Sequence, residues 1–146
     1  MAGVGLVDVV GQRVVGWQDW RWCRVINDFI LTEHFRLREF QCKCGCGTVK
    51  LDPSLVWRLQ ALRYKVGVPL VINSGYRCQA HNKAVGGADN SFHMQGLAAD
   101  VACPKGLTVE QFTQMCLELG FTGVGAYPAQ GFVHVDMRPG PQVRFQ

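Results

Sequence analysis

Two short stretches of this chain hold side chains that bind metal ions. In "SFHMQGLAAD", residues 91–100, His93 precedes Asp100 with Gly96 and two alanines between them. In "FVHVD", residues 132–136, a histidine and an aspartate alternate with valines. If residues 97–101 form a strand entered by a turn at Gly96, the small side chains let the backbone pack closely and His93 folds back toward Asp100. Alternation along the second stretch puts Val133 and Val135 on the core side of a strand and His134 and Asp136 together on the other. Two such His/Asp pairs side by side suit zinc. Three protein ligands with one open position is the catalytic arrangement, whereas a structural zinc ion is closed by four.

Pattern also indicates the elements that must position these residues. Asp52 followed by Pro53 is a helix start, an N-cap residue and then proline in the first turn. Leu55, Leu59 and Leu62 recur at helical spacing, and Gly67 stops the helix. "VPLVINSGYRC" reads as a buried strand ending in a Ser-Gly turn. "QAHNKAVGGADN" reads as a loop shaped by Asn82, Gly86 and Gly87. A helix falls near "TVEQFTQMCLELG", and "GVGAYP" and "GFVHVDMR" form a hairpin across a short Pro/Gly turn. A further helix is expected around residues 18–31, with Trp17, Trp20 and Trp22 serving packing rather than binding. The whole predicts an α+β domain with a small, mainly antiparallel sheet and flanking helices. Residues 34–140 make up that domain, residues 1–33 an N-terminal segment packed on it, and residues 141–146 a C-terminal tail.

Composition bounds the function. A chain of 146 residues, nearly half hydrophobic and under a fifth charged, folds as one globular domain with a real core. The net charge of +4 is mild and scattered. It argues against a nucleic-acid partner and is compatible with a polyanionic surface such as a cell wall. Arg21, Arg24, Arg36, Arg38, Arg58 and Arg63 read as solvated faces. No apolar run of about 18 residues exists, so no membrane insertion is expected. The opening "MAGVGLVDVVGQRVVGW" lacks a cationic n-region and an uninterrupted apolar stretch, so no secretory signal peptide is expected and synthesis is placed in the cytoplasm.

Taken together, "SGYRCQAHNKAVGGADNSFHMQGLAAD" and "GFTGVGAYPAQGFVHVDMR" resemble the zinc D-alanyl-D-alanine carboxypeptidases of the M15 peptidase group. The likeness is to the compact branch found in bacteria and their phages, with distant structural kinship to the Hedgehog signalling domain. The S-x-H-x-x-G-x-A-x-D motif is met by Ser91, His93, Gly96, Ala98 and Asp100. The resemblance runs from "HFRLREF" at His34 to Arg138. It implies a Hedgehog/DD-peptidase-like fold and a catalytic Zn2+ held by His93, Asp100 and His134. It also implies hydrolysis of bacterial peptidoglycan peptide stems by metal-activated water. The terminal D-Ala–D-Ala bond is the first expectation. A peptidoglycan endopeptidase, such as a bacteriophage endolysin or tail component, is the second, and a non-catalytic zinc-containing wall-binding module the third. Some relatives carry a Glu base three residues before the last ligand histidine, where this chain has Gly131. Asp136 is the nearest carboxylate on the expected strand face and is the expected general base. The competing readings exchange Asp136 and His134 as ligand and acid/base, or make Asp136 a carboxylate that orients a ligand histidine. The resemblance places a substrate-binding arginine at Arg77, suited to a terminal carboxylate. Ser91 is expected to hydrogen-bond substrate or cap its turn. Tyr127 is expected to steady an oxyanion or to pack.

Seven cysteines cannot all pair within one chain. "CKCGCG" places Cys42, Cys44 and Cys46 at alternating positions, and Cys78 follows Arg77. These four are candidates for a second, structural ion, against free thiols or a disulfide formed after release. Cys103 and Cys116 sit in apolar context and read as small buried hydrophobes.

Overall fold

A computed structural model describes residues 27–145 of the chain. In chain order the elements are β1 (Ile30–Thr32), β2 (Phe35–Arg36), a 3-10 turn (Leu37–Phe40), α1 (Pro53–Val66), β3 (Ile72–Ser74) and α2 (Gln79–Ala84). They continue with α3 (Phe92–Gln95), β4 (Ala98–Ala102), α4 (Val109–Glu118), β5 (Gly123–Tyr127), a 3-10 turn (Pro128–Gln130), β6 (Phe132–Asp136) and β7 (Val143–Phe145). The architecture is α+β. A five-stranded sheet in the order β3-β4-β6-β5-β7 is antiparallel except where β7 lies parallel to β5. The short strands β1 and β2 pair separately.

Local chemistry sets the helix ends. The Asp52 carboxylate accepts from the Ser54 N–H at 2.8 Å, Pro53 occupies the first turn, and Gly67 ends α1 at φ +76°. Thr108 and Gln111 form a reciprocal capping pair at the start of α4, at 3.1 and 2.9 Å. One face of the sheet carries Ala99, Val101, Val124, Val133 and Val135. Leu55, Leu59 and Leu62 of α1 and Phe112 and Cys116 of α4 close over it as the core. Each of these large apolar side chains contributes roughly 1.5–3 kcal/mol on burial. With this side committed to packing, period-2 alternation delivers the intervening residues to the opposite face.

Three expectations from pattern are corrected. The helix around residues 18–31 falls mostly outside the described residues, as do the three tryptophans. At its end, Asn27 has φ +72° and Ile30–Thr32 is a strand. Thr32 donates to the Gln60 side chain of α1 at 2.7 Å, so residues just before 34 belong to the domain. The segment 79–90, expected as loop, begins with α2, because the Cys78 sulfur caps its first turn and Gln79, Ala80, Lys83 and Ala84 favour helix. The supposed tail 141–146 contributes β7, steadied where Gln142 donates to the Leu117 and Phe121 carbonyls, both at 2.8 Å. A three-residue strand offers too little alternation to be recognised from pattern alone.

Candidate metal centre

Strand register assembles the polar face. Asp100 of β4 lies directly opposite His134 of β6, and Ala98 opposite Asp136. On the other flank of β6, Gly125 faces His134 and Gly123 faces Asp136. Two strands therefore supply the functional side chains, and small neighbours leave them room. His93 arrives from α3, a single turn capped by Ser91, whose hydroxyl accepts from the His93 N–H at 3.3 Å. Gly96 ends that turn and leads into β4.

Three ligand-type atoms meet here. His134 Nδ1 is 2.9 Å from Asp100 Oδ1, His93 Nε2 is 3.2 Å from the same oxygen, and the two ring nitrogens are 3.2 Å apart. The outer nitrogens of both rings face acceptors. His93 Nδ1 donates to the Gly75 carbonyl at 2.7 Å, and His134 Nε2 donates to Asp136 Oδ2 at 3.1 Å. Each neutral imidazole then turns a lone pair inward, toward a carboxylate oxygen that also has only lone pairs. Such a trio needs a cation or a proton in its midst. The donor set, two imidazoles and one carboxylate, is a zinc set, and the separations are close to the ~3.4 Å edge of a tetrahedron with bonds of about 2.1 Å. The residues fit the metal.

Titration behaviour points the same way. Burial pushes the His134 pKa down, but hydrogen bonds and charge from Asp100 and Asp136 outweigh it and raise it above the ordinary histidine value, as expected where a positive charge is favoured. Burial pushes Asp100 up, yet His134 and His93 hold its carboxyl well below the usual carboxylate range.

A layer of partners fixes the three. Arg77 donates from Nη2 to Asp100 Oδ2 at 2.5 Å and from Nε to Ser74 Oγ at 2.8 Å. Arg138 donates to Asp136 through Nε and Nη2, at 2.8 and 2.5 Å, and its own N–H adds a third bond at 3.1 Å. Asp136 is completely buried. Burial would raise its pKa, but Arg138 and His134 hold it well below the usual range. The expectation that Asp136 is the general base does not fit this position. A buried carboxylate, bonded on both oxygens and resistant to protonation, has no approach to a proton on substrate or water; its contacts orient His134. Gly123 is required beside it, since a methyl group there would overlap both Asp136 oxygens and come within 2.5 Å of Arg138 Nε.

A cleft of about 540 Å³ opens over the centre, bordered by His93, Asp100 and His134 and by Arg77, Ser91 and Tyr127. Ser91 acts as the turn cap, and Tyr127 stacks on Phe132 with ring centroids 4.6 Å apart. Cys42, Cys44, Cys46 and Cys78 gather in a second cluster, with sulfurs all within 4.8 Å of one another. Arg138 and the aromatic wall were missed from sequence. The Arg138 guanidinium lies 4.9 Å from the ring centres of both Phe92 and Phe145. Its position two residues beyond Asp136 was the available signal.

Comparison with known proteins adds to this geometry. Residues 33–136 match the family model described as Peptidase M15. The zinc D-Ala-D-Ala carboxypeptidase of Streptomyces albus G is 49% identical over 47 residues, 32% of this chain and 18% of that protein. The peptidoglycan L,D-endopeptidase MepK of Escherichia coli (strain K12) is 32% identical over 119 residues, 76% of this chain and 65% of that protein. A probable peptidoglycan L,D-endopeptidase MepK of Haemophilus influenzae is 30% identical over 98 residues, 62% of this chain and 52% of that protein. The chain thus spans less than two thirds of the length of each of these relatives.

Proposed function

This chain belongs to the Peptidase M15 family, and from that membership we propose that it is a zinc peptidase that hydrolyses amide bonds in the peptide stems of bacterial peptidoglycan. The observation that carries the proposal is the convergence of three inward lone pairs, from His93, Asp100 and His134, under an open cleft. When bound, zinc supplies a Lewis acid and lowers the pKa of water enough to give a nucleophile near neutral pH. The protein's part is to hold that chemistry in place. The Gly75 carbonyl fixes the tautomer of His93, Asp136 fixes that of His134, and Arg77 orients Asp100. In this reading Tyr127, on the cleft wall, donates its hydroxyl to an oxygen gaining charge. The aromatic rings of Phe92, Phe132 and Phe145 give a peptide stem apolar surface to lie against.

Charge bears on which bond is cut. A carboxypeptidase needs a cation for the substrate's terminal carboxylate. Both guanidiniums on the cleft wall are already neutralised by carboxylates, Arg77 by Asp100 and Arg138 by Asp136. Among the described residues this favours an internal amide of the stem, consistent with the longer of the alignments, to an L,D-endopeptidase. A second reading rests on a different feature: Asp100 is the one carboxylate among the described residues bordering the cleft, so no separate base is evident, as in a wall-binding module that keeps the metal without turnover.

Defined muropeptides incubated with zinc-loaded and with chelated protein, and read by mass spectrometry, test these readings. Zinc-dependent splitting of the stem is expected. Release of one terminal alanine would instead make the protein a carboxypeptidase. Binding of intact stems with no product would move the non-catalytic reading ahead.

A further inference from the structure

We propose that Cys42, Cys44, Cys46 and Cys78 bind a second zinc ion, a structural one, that staples the cysteine-rich loop to the segment supporting the first centre. The four sulfurs come from two parts of the chain, and their mutual separations all lie within 4.8 Å. Cys42 and Cys44 sulfurs are 3.3 Å apart, and Cys44 and Cys78 sulfurs 3.7 Å. A tetrahedron with zinc–sulfur bonds of about 2.3 Å has edges of ~3.8 Å, so modest adjustment closes a four-thiolate site with no open position.

The loop is shaped for this. Cys42 N–H donates to the Thr48 carbonyl at 3.0 Å, closing residues 42–48 into a ring. Gly45 and Gly47, at φ +85° and +72°, make the left-handed turns that let alternate cysteines face a common point. Asn27 ties the loop from outside, donating to the Gly47 carbonyl at 2.8 Å and to the Gln41 side chain at 3.0 Å. Cys78 meets the ring from the start of α2. Two backbone donors already point at sulfur, Cys78 N–H to Cys42 and His81 N–H to Cys78, both at 3.4 Å. Donors of this kind stabilise coordinated thiolates and orient them.

The position explains what such a staple would achieve. Cys78 directly follows the run Ser74–Arg77 that steadies the His/Asp/His centre. Gly75 accepts from His93, and Ser74 and Asp100 share the Arg77 guanidinium. The Arg77 N–H also donates to the His93 carbonyl at 3.2 Å. On the other side, Tyr76 N–H donates to the Phe40 carbonyl at 2.8 Å, two residues before Cys42. Metal at the cysteines therefore clamps both edges of this run. The inference concerns the cysteines alone and stands whichever bond the first centre cuts, or whether it cuts any.

Full-length protein purified under reducing conditions without chelator, and examined by native mass spectrometry, should carry two zinc ions per chain. His93→Ala should lose one and keep the other. Cys78→Ser should lose the other and melt at a lower temperature, with Cys44→Ser as the second variant should Cys78→Ser not fold. Cobalt replacement in the unaltered protein gives an independent readout. A thiolate site shows intense visible bands with sulfur-to-cobalt charge transfer in the near ultraviolet, which two histidines and a carboxylate cannot produce. One zinc ion per chain with no thiolate signature would overturn the proposal, as would intact masses showing these cysteines joined in disulfides in the metal-containing protein.

Discussion

His134 Nε2 donates to Asp136 Oδ2 across 3.1 Å, between two residues of the same strand. Neighbours on one strand face lie side by side, so the aspartate fixes which ring nitrogen keeps its proton. The other nitrogen, Nδ1, is left to face Asp100 and His93. In space, then, Asp136 spends one oxygen on the His134 ring rather than facing the cleft, and Arg138 balances the buried charge.

Asp136→Asn is the direct check on that relationship. The amide keeps the shape but weakens the bond to His134 and leaves Arg138 without its counter-charge. Zinc affinity at the first centre should fall roughly 10- to 100-fold, while hydrolysis at saturating zinc falls much less. Competition with a chromophoric chelator measures the first and muropeptide turnover the second. Unchanged zinc affinity with turnover abolished would restore Asp136 as the base.

Protons and zinc should compete at His134. In the metal-free protein its pKa is raised above the ordinary 6.5, because Asp100 and Asp136 outweigh burial. A raised folded-state value gives stabilisation that is complete below 6.5 and is lost as pH rises through the folded value. Asp100 has the opposite sign. Its lowered value gives stabilisation present above 3.8 and lost only as pH falls through the folded value. Between these limits the proton occupies the place zinc would take. The gain in melting temperature on adding zinc should therefore be small near about pH 5.5 and grow toward about pH 8. Scanning fluorimetry across that range, with His93→Ala subtracting the cysteine contribution, reads it. A gain independent of pH would sink the idea.

Gly123→Ala probes the packing around the orienting carboxylate. The added methyl must displace Asp136 or Arg138, and neither is a free side-chain end. A loss of ~1–3 kcal/mol in denaturant unfolding is expected, with weaker zinc binding alongside it. A variant as stable as the parent would mean that the Asp136–Arg138 pair can shift at little cost.

The sequence pattern anticipates where several of these side chains lie, for identifiable reasons. Alternation in "FVHVD" separates His134 from the valines because one face of β6 is fully committed to the core. Asp52-Pro53 and Gly67 bracket α1 because helix ends have few chemical solutions. The role of Asp136 was not legible. Whether a carboxylate meets water or an arginine depends on what packs above it, and Gly123, Arg138 and Phe145 come from β5, the segment just after β6, and β7. The strand β7 was equally invisible, since three residues paired to a distant strand carry no local signature. Arg77 was singled out for a substrate carboxylate, whereas its guanidinium is engaged by Asp100 and Ser74, a contact set by the register of β3 against β4.

Arg77→Lys separates the two roles open to that residue. A planar guanidinium serves Asp100 through Nη2 and Ser74 through Nε at once, and an ammonium cannot span both. If Arg77 positions the metal ligand, Lys should weaken zinc binding at the first centre several-fold and leave KM for a muropeptide little changed once zinc is saturating. If it instead clamps a terminal carboxylate, zinc affinity should hold and KM should rise, most for substrates ending in a free D-Ala. Measuring zinc affinity and KM on the same preparation decides between them. The fork between Asp100 and Ser74 predicts the first result, and the second would reopen the carboxypeptidase reading together with the role of Arg77.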